Sequence, residues 1–163
     1  MMEEKVQKGK QWLETLLSLM GFPATVDSEG FATVAEDQES CWLNITTDDL
    51  TSEQVQLLIG AKGKNIDAVQ YLANTILNLL ENPATKGSYT IEIDGYRINR
   101  HQELLEIIDS AAAKVRATGE EIEVPNLSSA ERRQIHSFLQ NSPDLATESR
   151  GQEPERKLVV KLR

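Results

Sequence analysis

A chain of 163 residues, 39% hydrophobic and 26% charged, is long enough for one ordinary domain or two small ones. It has no apolar run near the roughly 20 residues that span a bilayer, so membrane insertion is not expected. A formal charge of −9 excludes a uniformly basic nucleic-acid binder, and 5% aromatic content leaves few rings for stacking on bases. The single cysteine, Cys41, cannot close an internal disulfide, and the acidic start Met1-Met2-Glu3-Glu4 is unlike a secretory signal; a cytoplasmic location is expected. The charge is uneven. Residues 1–58 carry 11 acidic and 3 basic side chains, whereas residues 59–163 carry 15 and 14, so local cations can still meet a polyanion.

In chain order, residues 3–20 form an expected amphipathic helix through Val6, Leu13, Leu16, Leu17 and Met20, with Trp12 beside them. Gly21 is placed as its C-cap and Pro23 blocks continuation. Strand-like runs follow at Ala24–Asp27, Phe31–Ala35 and Cys41–Ile45, separated by the turn at Ser28-Glu29-Gly30 and a polar break at Asp37–Ser40. Trp12, Phe31 and Trp42 fall within apolar patterns and are expected in the core; Cys41 is expected to be buried. Thr51 caps a short helix ending at Ile59, and a longer one begins after Gly63. Tyr89–Ile93 alternates as a strand.

Between those two helices lies Gly60-Ala61-Lys62-Gly63-Lys64. Two glycines let the backbone turn sharply and lie close to another group. The second helix then presents the positive end of its dipole to the turn, and Lys62 and Lys64 add two cations. Such a cradle suits a phosphate. The competing reading is a plain helix corner in which glycine serves only tight packing. Ile59, Ile66 and a neighbouring strand are expected to wall an apolar groove for bases.

From Arg97 a helix is expected to run to about Thr118, stopped by Gly119, followed by a short strand at 121–125. Ser128-Ser129-Ala130-Glu131 reads as a capping box opening the next helix. On it Ile135, Phe138 and Leu139 form an apolar stripe, and Arg132 and His136, four apart, stand at its flank. A guanidinium fork and an imidazole on one helix edge suit phosphate or sugar oxygens, with Arg133 further toward solvent. Taken alone, Arg132 and His136 equally suit a surface salt bridge or a loop cap. Residues 147–156 read as a polar loop holding Arg150 and Arg156; for Arg150 a solvated loop and a ligand contact stand level. The closing strand, Lys157–Leu162, puts Leu158, Val160 and Leu162 on one face.

The order helix, strand pair, strand, helix, glycine turn, helix, strand resembles a type II KH domain, and Leu58-Ile59-Gly60-Ala61-Lys62-Gly63 resembles its Ile-Gly-x-x-Gly signature. Arg132-x-x-x-His136, with Glu131 before it and Thr147-Glu148-Ser149-x-Gly151-x-x-Pro154-x-Arg156 after it, resembles the domain named for its Arg-x-x-x-His motif. The succession of the two is similar to the bacterial Jag family over nearly the whole chain. The resemblance implies an α+β fold, a type II KH domain at residues 1–95 and a small α/β Arg-x-x-x-His domain at 96–163. It implies non-catalytic binding of RNA or single-stranded DNA through Gly60, Ala61, Lys62, Gly63, Arg132 and His136. Ala61 stands where that family often has a second basic residue, with Lys64 just outside as a partial replacement. The separate N-terminal domain and basic linker of many members are not expected here.

Catalysis is not expected. His101 and His136 are the only histidines, no residue spacing suggests a metal cage, and neither a Gly-x-Ser-x-Gly elbow nor a phosphate loop is present; no cofactor is implied. The rival reading is a protein-interaction module in which the acidic first helix and the KH sheet dock another KH protein or a second copy.

Overall fold

In a computed structural model, which describes residues 2–28 and 40–163, the first amphipathic run forms α1 (Met2–Leu19). Its end is a Schellman turn: Phe22 N–H reaches Leu17 O at 2.9 Å, Gly21 N–H reaches Ser18 O at 3.0 Å, and Gly21 has φ +85°. Leu13 and Leu17 are fully buried, whereas Met20, expected on the same face, is exposed because it lies past the last helical turn. Gly9 is buried because a Cβ there would meet Leu43 Cδ1 at 2.8 Å and Tyr89 Cε1 at 2.9 Å, so the helix lies close on the sheet.

Strands β1 (Val26–Asp27) and β2 (Ser40–Ile45) pair antiparallel, and β2 runs parallel to β3 (Ser88–Ile93), giving the order β1-β2-β3. A parallel pair needs a crossover, which α2 (Ser52–Ile59) and α3 (Lys64–Ile76) provide. The expected strand at Phe31–Ala35 lies outside the described residues. Along β2, Cys41, Leu43 and Ile45 are buried; Trp42 points to the other face and stays half-exposed, so it is not part of the core. Burial pushes the Cys41 thiol up, which keeps it protonated and unreactive.

The outer edge of β3 is closed by side chains. Gln70 Oε1 accepts from Ile91 N–H at 3.0 Å. Asn74 accepts from Tyr89 N–H and donates to Tyr89 O, both at 2.8 Å. Asn78 does the same with Gly87, again at 2.8 Å. Residues four apart share one helix face, so α3 and the turn after it lay a ladder of amides along the strand.

Buried Glu92 turns the chain into α4 (Tyr96–Thr118), accepting from the Ile93 and Arg97 amides at 2.9 Å and the Ile98 amide at 3.2 Å. The chain divides into two compact units, residues 1–98 and 99–163, with the boundary in the first turn of α4.

In the second unit, α4 buries Leu104, Ile108, Ala111, Ala112 and Val115 and ends at Gly119, φ +72°. The sheet order is β4-β6-β5, all antiparallel, with β4 Ile122–Val124, β5 Leu145–Arg150 and β6 Lys157–Leu162. Helix α5 (Ser129–Leu139) opens on the expected capping box, Glu131 N–H to Ser128 Oγ at 3.1 Å and Ser128 N–H to Glu131 Oε2 at 3.0 Å. The expected polar loop at 147–156 is wrong in its first part, since residues up to Arg150 belong to β5. Leu158, Val159 and Val160 are all fully buried in the middle strand, while Leu162, at the strand end, is 42% exposed.

Candidate nucleic-acid interface

The glycine turn has the geometry that two glycines permit. Gly60 sits at φ +74°, ψ 174°, Lys62 at φ +55°, ψ 31°, and Gly63 at φ +75°, ψ 14°. Ala61, Lys62 and Lys64 are exposed, and no side chain caps the start of α3. Among the described residues no carboxylate lies in ion-pair range of Lys62 or Lys64. The result is an outward tip carrying two cations at the positive end of a 13-residue helix.

The turn is held from behind. Asn65 Nδ2 donates to Leu57 O at 2.7 Å, tying the first turn of α3 to the last of α2, and its side chain fills the space a Cβ on Gly60 would need. Gly63 is buried under Tyr96: a Cβ there would lie 2.2 Å from Tyr96 Oη. Arg97 braces α3 through Nη1 to Asp67 at 2.9 Å and Nε to Ile91 O at 2.7 Å. Ile66, expected to line the groove, is 1% exposed and belongs to the core; Leu57, 62% exposed, and half-buried Ile59 are the apolar surface beside the turn.

On α5 the two motif residues differ in kind. Arg132 is 4% exposed rather than outward-facing. Its Nη1 donates to Leu127 O at 2.7 Å and Arg156 O at 3.5 Å, and its Nη2 to the Glu153 carboxylate. The fork therefore fastens the loop at residues 151–156 to the base of the helix. His136 is half-buried and lies between two hydroxyls of β5, Nδ1 against Thr147 Oγ1 and Nε2 3.4 Å from Ser149 Oγ. Beside it is a shallow groove of about 300 Å³ lined by Ser137, Gln140, Ala146 and Arg163 among others. Arg133 is exposed, and Arg156 is half-buried with Nη1 3.4 Å from Gly151 O.

Arg150 stands apart from this group. Alternation along β5 puts Thr147 and Ser149 on the face toward α5 and Glu148 and Arg150 on the other. There Arg150 donates to Glu121 at 2.6 and 3.0 Å and to Glu148, Lys157 pairs with Glu123 at 3.0 Å, and Lys161 with Glu148 at 3.1 Å. These hydrogen bonds hold the carboxyls of Glu121 (from Arg150) and Glu148 (from Lys161 first, then Arg150) below their usual range and raise the Arg150 guanidinium.

Sequence reasoning overlooked Asn65, Tyr96 and Glu153 as parts of these arrangements, and quoted Thr147 and Ser149 beside the Arg-x-x-x-His motif without giving them a role. The demand at Gly63 for a residue without a Cβ was the one available sign that something packs on it.

The Arg-x-x-x-His (R-3-H) domain family matches residues 102–162. Three curated relatives carry the name RNA-binding protein KhpB. The one from Lactiplantibacillus plantarum is 36% identical over 107 residues, 66% of this chain and 33% of the relative. Those from Clostridium symbiosum and Bacillus subtilis are each 26% identical, over 156 and 159 residues, covering 96% of this chain and 65% and 70% of the relatives. The chain spans between a third and about two thirds of the length of these relatives. With a helix–glycine turn–helix crossover in its first unit and an Arg-x-x-x-His domain in its second, the chain is similar along nearly all of its length to the KhpB proteins of the Jag family.

Proposed function

We propose that the protein binds RNA or another single-stranded nucleic acid without catalysis, its first unit acting as a KH domain and its second as an Arg-x-x-x-His domain. The observation that carries this is the exposed tip Ala61-Lys62-Lys64 at the uncapped start of α3, an anion seat whose two lysines have no ion pair among the described residues. The tip grips about four backbone nucleotides, and Leu57 and Ile59 meet the bases. In the second unit the contacts fall to Arg132, Arg133, His136, Arg156 and the loop at residues 151–156. Few exposed rings make the base preference slight. Among the described residues no helix is long and apolar enough to cross a membrane.

The test is titration of single-stranded RNA with an Ala61→Asp, Lys62→Asp variant. Both positions are exposed, and aspartate tolerates positive φ, so thermal unfolding stays unchanged while binding is lost. Undiminished affinity would remove the first unit from the reading. Gly63 is unsuitable for this purpose, because Tyr96 fills its space.

A second reading has its own observation. Tyr71, Leu72, Ile76 and Leu79 form an exposed stripe on the outer side of α3 and its exit, with Leu80 97% exposed beyond them. This stripe, rather than α1 or the sheet, is the surface on which a protein partner would dock; an Ile76→Glu, Leu79→Glu variant that leaves pull-down and sedimentation unchanged would sink that reading.

A further inference from the structure

The guanidinium of Arg132 is almost closed to solvent. Its side chain is 5% exposed, and Nη1 is turned inward to the carbonyls of Leu127 and Arg156. Nη2 meets the carboxylate of Glu153, whose side chain is 60% exposed and so stands between the guanidinium and solvent on that side. An external anion that reaches Arg132 along this path must take the place that Glu153 holds. We propose that Glu153 is an internal stand-in for a ligand phosphate, and that nucleic acid binds the second unit by exchanging with this carboxylate on Arg132 rather than by adding to a free cation.

The proposal rests on the nucleic-acid reading of the second unit. Three features favour exchange. A guanidinium fork accepts carboxylate and phosphate oxygens in the same geometry, so the swap needs no rebuilding of the buried side. Glu153 lies among exposed residues, Gly151 to Glu155, so its side chain swings into water without uncovering apolar surface. The same pattern recurs on the sheet, where Arg150, Lys157 and Lys161 each hold a carboxylate, so the unit keeps its cations matched while empty. Exchange also leaves a signature in salt dependence. A phosphate that replaces a carboxylate on Arg132 frees a negative side chain as it neutralises a phosphate, so that contact adds little to net counterion release.

Glu153→Gln separates the charge from the tether, because the amide oxygen still accepts from Nη2 and keeps the loop attached. Glu155→Gln is the control: it removes the same charge from the same exposed loop, at a residue with no ion pair among those described. Affinity for a single-stranded RNA of about 16 nucleotides is measured across a salt series by fluorescence anisotropy. Expected for Glu153→Gln are binding about fivefold tighter, the scale of one exposed ion pair, and a salt slope steeper by about 0.7, one added phosphate contact on a single strand. Glu155→Gln should change affinity less than about twofold, the reach of a screened unpaired charge. If the wild type binds RNA but Glu153→Gln binds no better, or Glu155→Gln gains as much, the exchange is overturned and the nucleic-acid reading stands. If the folded wild type and both variants ignore the RNA at every salt concentration, both fall together. Loss of the thermal transition in Glu153→Gln would make Glu153 structural and would also overturn the exchange.

Discussion

Lys62 holds a left-handed backbone, φ +55°, that a lysine adopts only at a cost of about 1 kcal/mol. Glycine would relieve that strain, so Lys62→Gly should raise the urea midpoint while weakening RNA binding, a split that a purely structural turn would not show. Gly63 behaves oppositely. A methyl group there is strained at φ +75° and strikes Tyr96, so Gly63→Ala should destabilise the first unit by about 3 kcal/mol in urea unfolding. Arg132 carries a structural task that His136 lacks. Arg132→Ala strands the carbonyls of Leu127 and Arg156 and should cost about 2 kcal/mol of stability. His136→Ala, at a half-buried ring between hydroxyls, should leave the melting temperature nearly unchanged and lower affinity.

Among the elements, the amide ladder on β3 is the most exacting. Replacing Asn74 by Leu keeps the branched outline of the side chain and leaves both polar groups of Tyr89 unpaired, so about 2–3 kcal/mol should be lost in denaturant titrations. The charged face of β4-β6-β5 sets an acid limit. Glu121, Glu148 and Asp144 have folded-state carboxyls held low by arginine and lysine partners; for Asp144 the partner is Arg116. Their contribution is present above the ordinary carboxylate range near about 4 and is lost as pH falls through the lowered values. The unfolding midpoint of the second unit should therefore drop below about pH 4, less steeply at high salt. Elements with strong local signals were legible in the sequence: the α1 stop at Gly21, the Thr51 and Ser128 caps, the glycine turn. Strand β5 was not, because Leu145-Ala146-Thr147-Glu148-Ser149-Arg150 has no apolar alternation. Its pairing with Val159 and Val160 of β6 makes it a strand, and that partner is invisible locally.

For the molecule as a whole, a charge of −9 sets a repulsive far field against an attractive near one at the glycine turn. Salt screens the first more than the second, so the association rate with RNA should rise with added salt in stopped-flow traces, opposite to basic binders, even as overall affinity falls. The candidate site was legible as residue types and spacings, Gly60 to Lys64 and Arg132 to His136. What the spacing does not carry is which way a side chain faces: helical geometry placed Arg132 at the flank of α5, and only the carbonyls of Leu127 and Arg156 draw it inward. The ladder from Gln70, Asn74 and Asn78 has one more consequence. The backbone protons of Tyr89 and Ile91 are held by α3, and that of Gly87 by the turn after it, rather than by a neighbouring strand, so their replacement by deuterium is timed by the opening of α3 and its exit. A ligand seated at the first turn of that helix would announce itself as slower deuteration at three positions it never touches.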